Sequence, residues 1–300
     1  MEIAHLELLR ELADRGSVTE VAAATGKTTS AVSQQLRLLQ RRVGVQLLER
    51  SGRGVRLTDA GLALARTAIK VSTAIAEAEA DWDRYRRTAT GTVRLAFFFS
   101  AGEILIPGLL ERMDAYPGIE LITDDRDVGE GDFDALVADF DIVIAHRSDG
   151  GVVADRSRLQ VTHLLREPVD VGVPLDHRLA RRERVTTADV IDEPWIGVPK
   201  DFPLDRVLSA VSVQAGRDAK IIFRTTHLPL AEKLVEAGRG LALLPRHSSQ
   251  PRAAAGAFAL LPLVGIRAGR HLEALSRPDR AARRAVRLVL DALAAEAASL

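Results

Sequence analysis

From Asp59 to Arg87 the chain contains no proline, and after Gly61 it contains no glycine until Gly91. Along this stretch Leu64, Ala68, Val71, Ile75, Ala78, Trp82 and Tyr85 step by four and three without a break. Such a row predicts one long helix, and a long helix separates whatever lies before it from whatever follows. Two readings of its apolar row stay open. It is a coiled-coil seam that pairs two copies, or it packs along the chain's own C-terminal part. The expected division is 1–58, a linker helix over 59–89, and 90–300.

At 300 residues two folding units are the natural expectation. Aromatics make up only 4% of the chain, so leucine, valine, isoleucine and alanine must build the cores. The formal net charge is zero, and any attraction to nucleic acid must therefore be local. The absence of cysteine excludes disulfides, thiolate metal sites and a cysteine nucleophile. The acidic start at Glu2 and Glu7 is unlike a secretory leader, and no apolar run is long enough to span a membrane. A cytoplasmic protein is expected.

Before the long helix, Leu6, Leu9, Leu12 and Ala13 recur at helical spacing up to Gly16, and Thr19–Ala24 forms a second helix stopped at Gly26. Ala23 is expected to let the next helix cross closely. A third helix opens at Thr28, Thr29 and Ser30, whose hydroxyls cap free amides, and runs to Val43. Val32, Leu36 and Leu39 share its apolar face, while Ser33, Gln34 and Arg37 form a short polar face suited to the major groove. Two extended runs around Gly52 and Gly54 then carry Arg50, Arg53 and Arg56, the chemistry of a wing. Residues 28–58 hold six arginines against Glu49, for +5, whereas residues 1–27 sum to −2. One basic face on a neutral chain is what phosphate binding requires.

Four stretches here, Gly16–Ala22, Ser30–Leu36, Arg42–Arg50 and Val55–Gly61, resemble the signature of the LysR-type transcriptional regulators in order and spacing. The resemblance implies a winged helix-turn-helix in which Thr28, Thr29, Ser30, Ser33, Gln34 and Arg37 face the major groove. It further implies that Arg50 and Arg53 lie along phosphates or a minor groove, and that the long helix pairs two copies on a palindromic site. Gln40 stands where the family usually has glutamate, and Thr29-Ser30 replaces a frequent Gln-Pro pair.

Beyond Thr90-Gly91 the pattern becomes alternating strand and helix, which predicts a parallel α/β sheet. Strands are expected at Val93–Phe99, Ile119–Thr123, Asp141–Ala145, Val169–Val173, Trp195–Val198, Lys220–Arg224, Leu241–Leu244 and His271–Ser276. Helices are expected from Ser100, over Asp134–Phe140, Leu204–Gln214 and Leu228–Ala237, and from Asp279 onward. The late return suggests two α/β subdomains joined by crossover strands, about 90–160 with 266–300 and about 161–265, similar to a periplasmic binding protein. Phe140–Ile144, Asp192–Ile196 and Leu234–Pro245 extend the family resemblance to this region.

Ligands of open α/β sheets sit at the carboxyl ends of strands. That rule nominates Phe99, Ser100, Ala101, His146, Val198, Pro199, Lys200, Thr226 and His227, with Arg147 nearby. Each has an ordinary alternative as a helix cap or surface side chain. The resemblance implies a small-molecule effector, and hydroxyls at helix starts suit an organic acid. No phosphate loop, zinc helix or nucleophile elbow occurs, the seven histidines lack ligand spacing, and the run Asp124–Asp127 reads as an exposed turn. Neither an enzyme, a metal nor a cofactor is expected. The favoured function is an effector-modulated DNA-binding regulator acting as a homodimer or homotetramer. The competing readings are a solute-binding protein or enzyme of the same shape, and an architectural DNA binder with a non-functional sensor.

Overall fold

The computed structural model describes residues 2–52, 54–151, 156–200 and 202–300. Its N-terminal unit holds α1 (Ile3–Arg15), α2 (Val18–Thr25), α3 (Thr29–Val43), β1 (Leu48–Ser51) and β2 (Gly54–Leu57). Each of the three helices stops on a glycine in the left-handed region, Gly16, Gly26 and Gly44. Leu9, Leu12, Val32, Leu36, Leu39 and Leu47 form their common core. Ala23 is exposed, contrary to expectation, because α2 presents the stripe Val18, Val21, Ala22 and Thr25, with Val21 and Ala22 buried. Gln40 accepts from the amides of Leu47 and Leu48, at 2.9 and 3.2 Å, and so pins the end of α3 to the start of the β-ribbon.

The long helix is α4 (Asp59–Tyr85), capped by the Thr58 hydroxyl, which accepts from the Gly61 amide. A β-carbon at Gly61 would run into the Leu47 carbonyl, so glycine lets α4 press against the ribbon. The apolar row divides along its length. Leu64 and Ala68 turn into the chain's own structure, where Ala68 is fully covered, and the row Ala65, Ala68, Ala76 and Ala80 is the one buried within the chain. Ala68 thus leaves the predicted pairing seam, since α1 and the last helices lie over that side of α4. Val71 and Ile75 are half-buried, and Ala78, Trp82 and Tyr85 are exposed, the two rings stacked at 5.4 Å.

After α4 come β3 (Gly91–Phe97), α5 (Phe99–Met113), β4 (Ile119–Asp125), α6 (Phe133–Leu136), β5 (Ile142–Ser148) and β6 (Gln160–Val173). A 3-10 turn follows, then β7 (Val185–Thr186), α7 (Thr187–Val190), β8 (Pro194–Gly197), α8 (Pro203–Ala215), β9 (Lys220–Arg224) and α9 (Leu228–Glu236). The chain closes with β10 (Leu241–Pro245), α10 (Arg246–Ala254), β11 (Ala259–Val264), β12 (Gly269–Ser276), α11 (Pro278–Ala281) and α12 (Arg284–Ala297). The strands run in the order β4-β3-β5-β12-β6-β10-β8-β9, and β11 and β7 extend off β6. β6 carries both halves: Gln160–Pro168 pair with β12, and Val169–Val173 pair with β10 and β11. Two separate apolar cores result, one around Leu95, Leu105 and Val286 and one around Val171, Trp195 and Leu244.

Several boundaries depart from expectation. The first strand ends at Phe97, because Phe98 caps α5 and Phe99 is already helical. The helix predicted over 134–140 is a single turn, and β5 continues through His146 and Arg147 to Ser148. Crossover pairing with β12 extends β5 beyond its apolar run. The helix α10 carries Pro251 and a mixed polar sequence without apolar periodicity, so nothing in the chain announced it.

The N-terminal unit docks onto the first α/β subdomain through charge. Arg10 donates to Asp279 at 2.7 Å, and buried Arg277 reaches Asp14 at 3.0 Å, Glu11 at 3.4 Å and Asp279 at 2.8 Å. Arg15 and Arg280, from the two sides of the junction, both donate to the Ala138 carbonyl at 2.9 Å. Despite the cost of burial, bonds from Arg15 and Arg10 hold Glu11 below its ordinary carboxylate value, and Arg277 holds Asp279 below its own. Burial pushes Asp14 up, and burial with Arg277 alongside lowers Arg280 to about 10. A carboxylate with a lowered folded value stabilises above its unfolded value and loses that contribution as pH falls. Docking is therefore expected to be complete above 4.5, the ordinary value of Glu11, and to weaken below 3.8, that of Asp279. Asp14 opposes this with the opposite sign but is one group against two. Limited proteolysis across that window checks the prediction, and unchanged protection of α1 at the acid end would refute it.

Candidate DNA-reading face and ligand cleft

Thr29, Ser30, Ser33, Gln34 and Arg37 line one depression along α3, of about 540 Å³, and Arg41 completes it. Gln34, Arg37 and Arg41 are exposed, and none has an ion-pair partner among the described residues. The Thr28 hydroxyl is used locally: it accepts from the Ala31 amide at 3.2 Å and bonds with Ser30. Arg41 escaped the site prediction, although it lies one turn beyond Arg37, a spacing that puts both on one face. Arg50 is exposed at the end of β1, beside the turn at Gly52. Arg56 is held by Glu49 at 2.7 Å, and Arg53 lies outside the described residues. The sum is one face presenting hydroxyls, an amide and guanidiniums without ion-pair partners among the described residues.

The second site lies between the two α/β subdomains, where β3 gives way to α5 and β8 to α8. Phe99, Ser100, His146, Val198 and Thr226 meet there around a space of about 40 Å³. Four other nominated residues stand elsewhere. Ala101 is fully buried in the first core. Lys200 lines a separate depression with Asp205, Arg217 and Arg224, because the chain turns outward after Val198. Pro199 lies between these two places and lines neither. His227 sits outside the cleft against the Phe99 ring, at 5.9 Å. Arg147, next to His146 on β5, points to the other face of the sheet and bonds Glu273 at 3.3 Å.

The dominant polar group of the cleft was not foreseen. Arg270 of β12 is 4% exposed and donates through Nε and Nη2 to Glu167 of β6, at 2.8 and 2.6 Å. Nη2 also donates to the Ser100 hydroxyl at 2.8 Å, and the guanidinium lies 5.0 Å over the Phe98 ring. Glu167 is fully buried and takes the His247 amide on its other oxygen, at 3.1 Å. A signal existed: Arg270 shares the inward period of Leu272 and Ala274, and Glu167 that of Val169 and Val171, so each is a charge at an apolar position. His146 packs edge-on against Phe98 and Phe133, and its Nδ1 is buried with no hydrogen-bond partner among the described residues. Burial, aided by Arg270, holds His146 well below its ordinary value, so the ring is neutral at pH 7. Asp127 stands at the mouth, where desolvation and neighbouring Asp125 raise its carboxyl.

A sequence model of the bacterial regulatory helix-turn-helix proteins of the lysR family matches residues 3–62, and one of the LysR substrate binding domain matches 86–298. The chain belongs to the LysR family. It is a LysR-type DNA-binding transcriptional regulator with an effector-binding domain, as its resemblance implied. The LysR-type relatives include the transcriptional dual regulator GltC of Bacillus subtilis, 29% identical over 82% of this chain and 81% of that one. The DNA-binding transcriptional dual regulator OxyR of Escherichia coli is 26% identical over 93% of this chain and 90% of its own. Among solved structures, a full-length OxyR variant from Pseudomonas aeruginosa superposes with a TM-score of 0.66 at 18% identity, covering 98% of this chain and 94% of the other. That likeness concerns the LysR fold. Among the described residues no helix is long and apolar enough to cross a membrane, and no cluster of histidines and carboxylates is arranged to hold a metal.

Proposed function

We propose that residues 1–58 read an operator through Thr29, Ser30, Ser33, Gln34, Arg37 and Arg41, with Arg50 and Arg53 on the phosphates beside them. In this reading 59–89 pairs two copies and 90–300 senses the effector between its subdomains, about 90–160 with 266–300 and about 161–265. The observation that carries it is the α3 depression, in which hydroxyls, an amide and two unpaired guanidiniums gather on one open face. Arginine reads guanine bidentately, glutamine reads adenine, and hydroxyls anchor phosphate oxygens. The regulator works in the cytoplasm and carries no catalytic chemistry. Control by a thiol is excluded, since the chain has no cysteine. Selection of binding sites from random DNA by the full-length protein is expected to yield a two-fold related sequence, bound less tightly as salt rises. Recovery of unrelated sequences with no common half-site would reject sequence-specific reading.

Exposed Trp82 and Tyr85 favour pairing along the distal half of α4. A stacked aromatic pair on an open helix face is apolar surface that a second copy covers. Replacing both with glutamate is expected to move the assembly toward monomer in analytical ultracentrifugation. A sedimentation profile identical to wild type would place pairing elsewhere.

A further inference from the structure

We propose that Glu167 sets the charge class of the cleft's ligand, so that the cleft takes a compact uncharged molecule bearing a hydrogen-bonding group and turns carboxylates away. This rests on the cleft being the effector site. Among the described residues Arg270 is the guanidinium that lines that space, and its charge is already balanced by Glu167. Its Nε and Nη2 both point at Glu167, and both Glu167 oxygens are engaged, one by Arg270 and one by the His247 amide. The pair is buried on both sides, so neither partner is released to solvent to make room for a competing anion. Arg270 and Glu167 cancel, His146 is neutral, and Asp127 adds a carboxyl at the mouth. An incoming carboxylate would therefore lose its water and meet a balanced ion pair and the Asp127 carboxyl, a desolvation cost that no unbalanced cation among the described lining residues offsets.

What the cleft does offer is neutral chemistry. The Ser100 hydroxyl accepts from Arg270, which leaves its proton to donate inward. The Thr226 hydroxyl also lines the cleft, and the buried Nδ1 of His146 has no hydrogen-bond partner among the described residues. A buried polar atom without a partner marks a place where a ligand or water completes the bonding. An amide or alcohol with both donor and acceptor satisfies Ser100 and His146 together, while Phe98, Leu204 and Leu228 take its apolar part. The space is small, about 40 Å³, and suits a compact ligand.

Acetamide and acetate are nearly identical in shape and differ in charge, so the pair isolates this feature. The full-length protein would be titrated with each at constant ionic strength, following the imidazole resonances of His146 by NMR, assigned with a His146→Asn variant. Acetamide is expected to shift them saturably and acetate is not. In Glu167→Gln, acetate is expected to bind roughly tenfold or more tighter than to wild type, the scale of one charge-assisted hydrogen bond regained. If that variant does not fold, Ser100→Ala takes its place and should weaken acetamide alone. Acetate perturbing His146 in wild type as strongly as acetamide overturns the charge class while leaving the cleft a binding site. No perturbation by either molecule, in wild type and variants alike, overturns the cleft reading together with the proposal.

Discussion

Arg277→Met is expected to cost about 3–5 kcal/mol, the scale for removing one partner of a buried ion pair. Arg277 is 3% exposed and sits among Glu11, Asp14 and Asp279, three carboxyls from both sides of the junction. Methionine fills much of the space but supplies no charge, so Arg10 and Arg15 are left to balance three acids. The buried carboxyls answer by taking up protons or by drawing apart, and the second course undocks α1 from the first α/β subdomain. Denaturant unfolding should then show a lower midpoint or two transitions in place of one. Pairing Arg277→Met with Asp279→Leu should recover part of the loss, since the orphaned charge goes too. A midpoint within error of wild type would mean that this network contributes little to docking.

Arg37→Ala is expected to weaken binding to the selected operator by about tenfold to a hundredfold, the effect of losing a bidentate base contact. Arg37 is exposed in the α3 depression and has no ion-pair partner among the described residues, so its removal is expected to leave folding untouched. Specificity should relax at one base position of each half-site while the fall of affinity with salt changes little. Arg41→Ala, one turn further on, should show the opposite pattern if it meets phosphate: weaker binding to every sequence and a shallower salt slope. Competition assays against random DNA separate the two. Equal loss on specific and random DNA for Arg37→Ala would assign it to the backbone and leave base reading to Gln34 and the hydroxyls.

The proposed DNA-reading face was legible in the chain because its logic is local. Thr28 caps, Val32, Leu36 and Leu39 fix which side of α3 is buried, and the polar side follows within the same helix. The ligand cleft was legible only in part. Ser100, Thr226 and Val198 follow strands and obey the rule for sheet ends, but Lys200, two residues past Val198, lands in another depression. Arg270 and Glu167 lie 103 residues apart, and nothing local brings them together.

The linker helix shows the same boundary within one element. Its existence, from Thr58 to about Tyr85, followed from spacing and the absence of breakers. Which of its sides meets what did not follow, because Ala68 is buried and α4 packs against α1 and α11, elements that the sequence places far from it on either side. Helix periodicity, caps and turn residues act within a few positions, and so sequence alone determined most of the elements, though not α10, and the polar side of α3. The meeting of Arg277 with Glu11, of Arg270 with Glu167, and of His146 with Phe98 and Phe133 was decided by tertiary structure. These contacts depend on how β6 and β12 cross between the subdomains and how α1 docks, and that geometry is set by the packing of both cores at once.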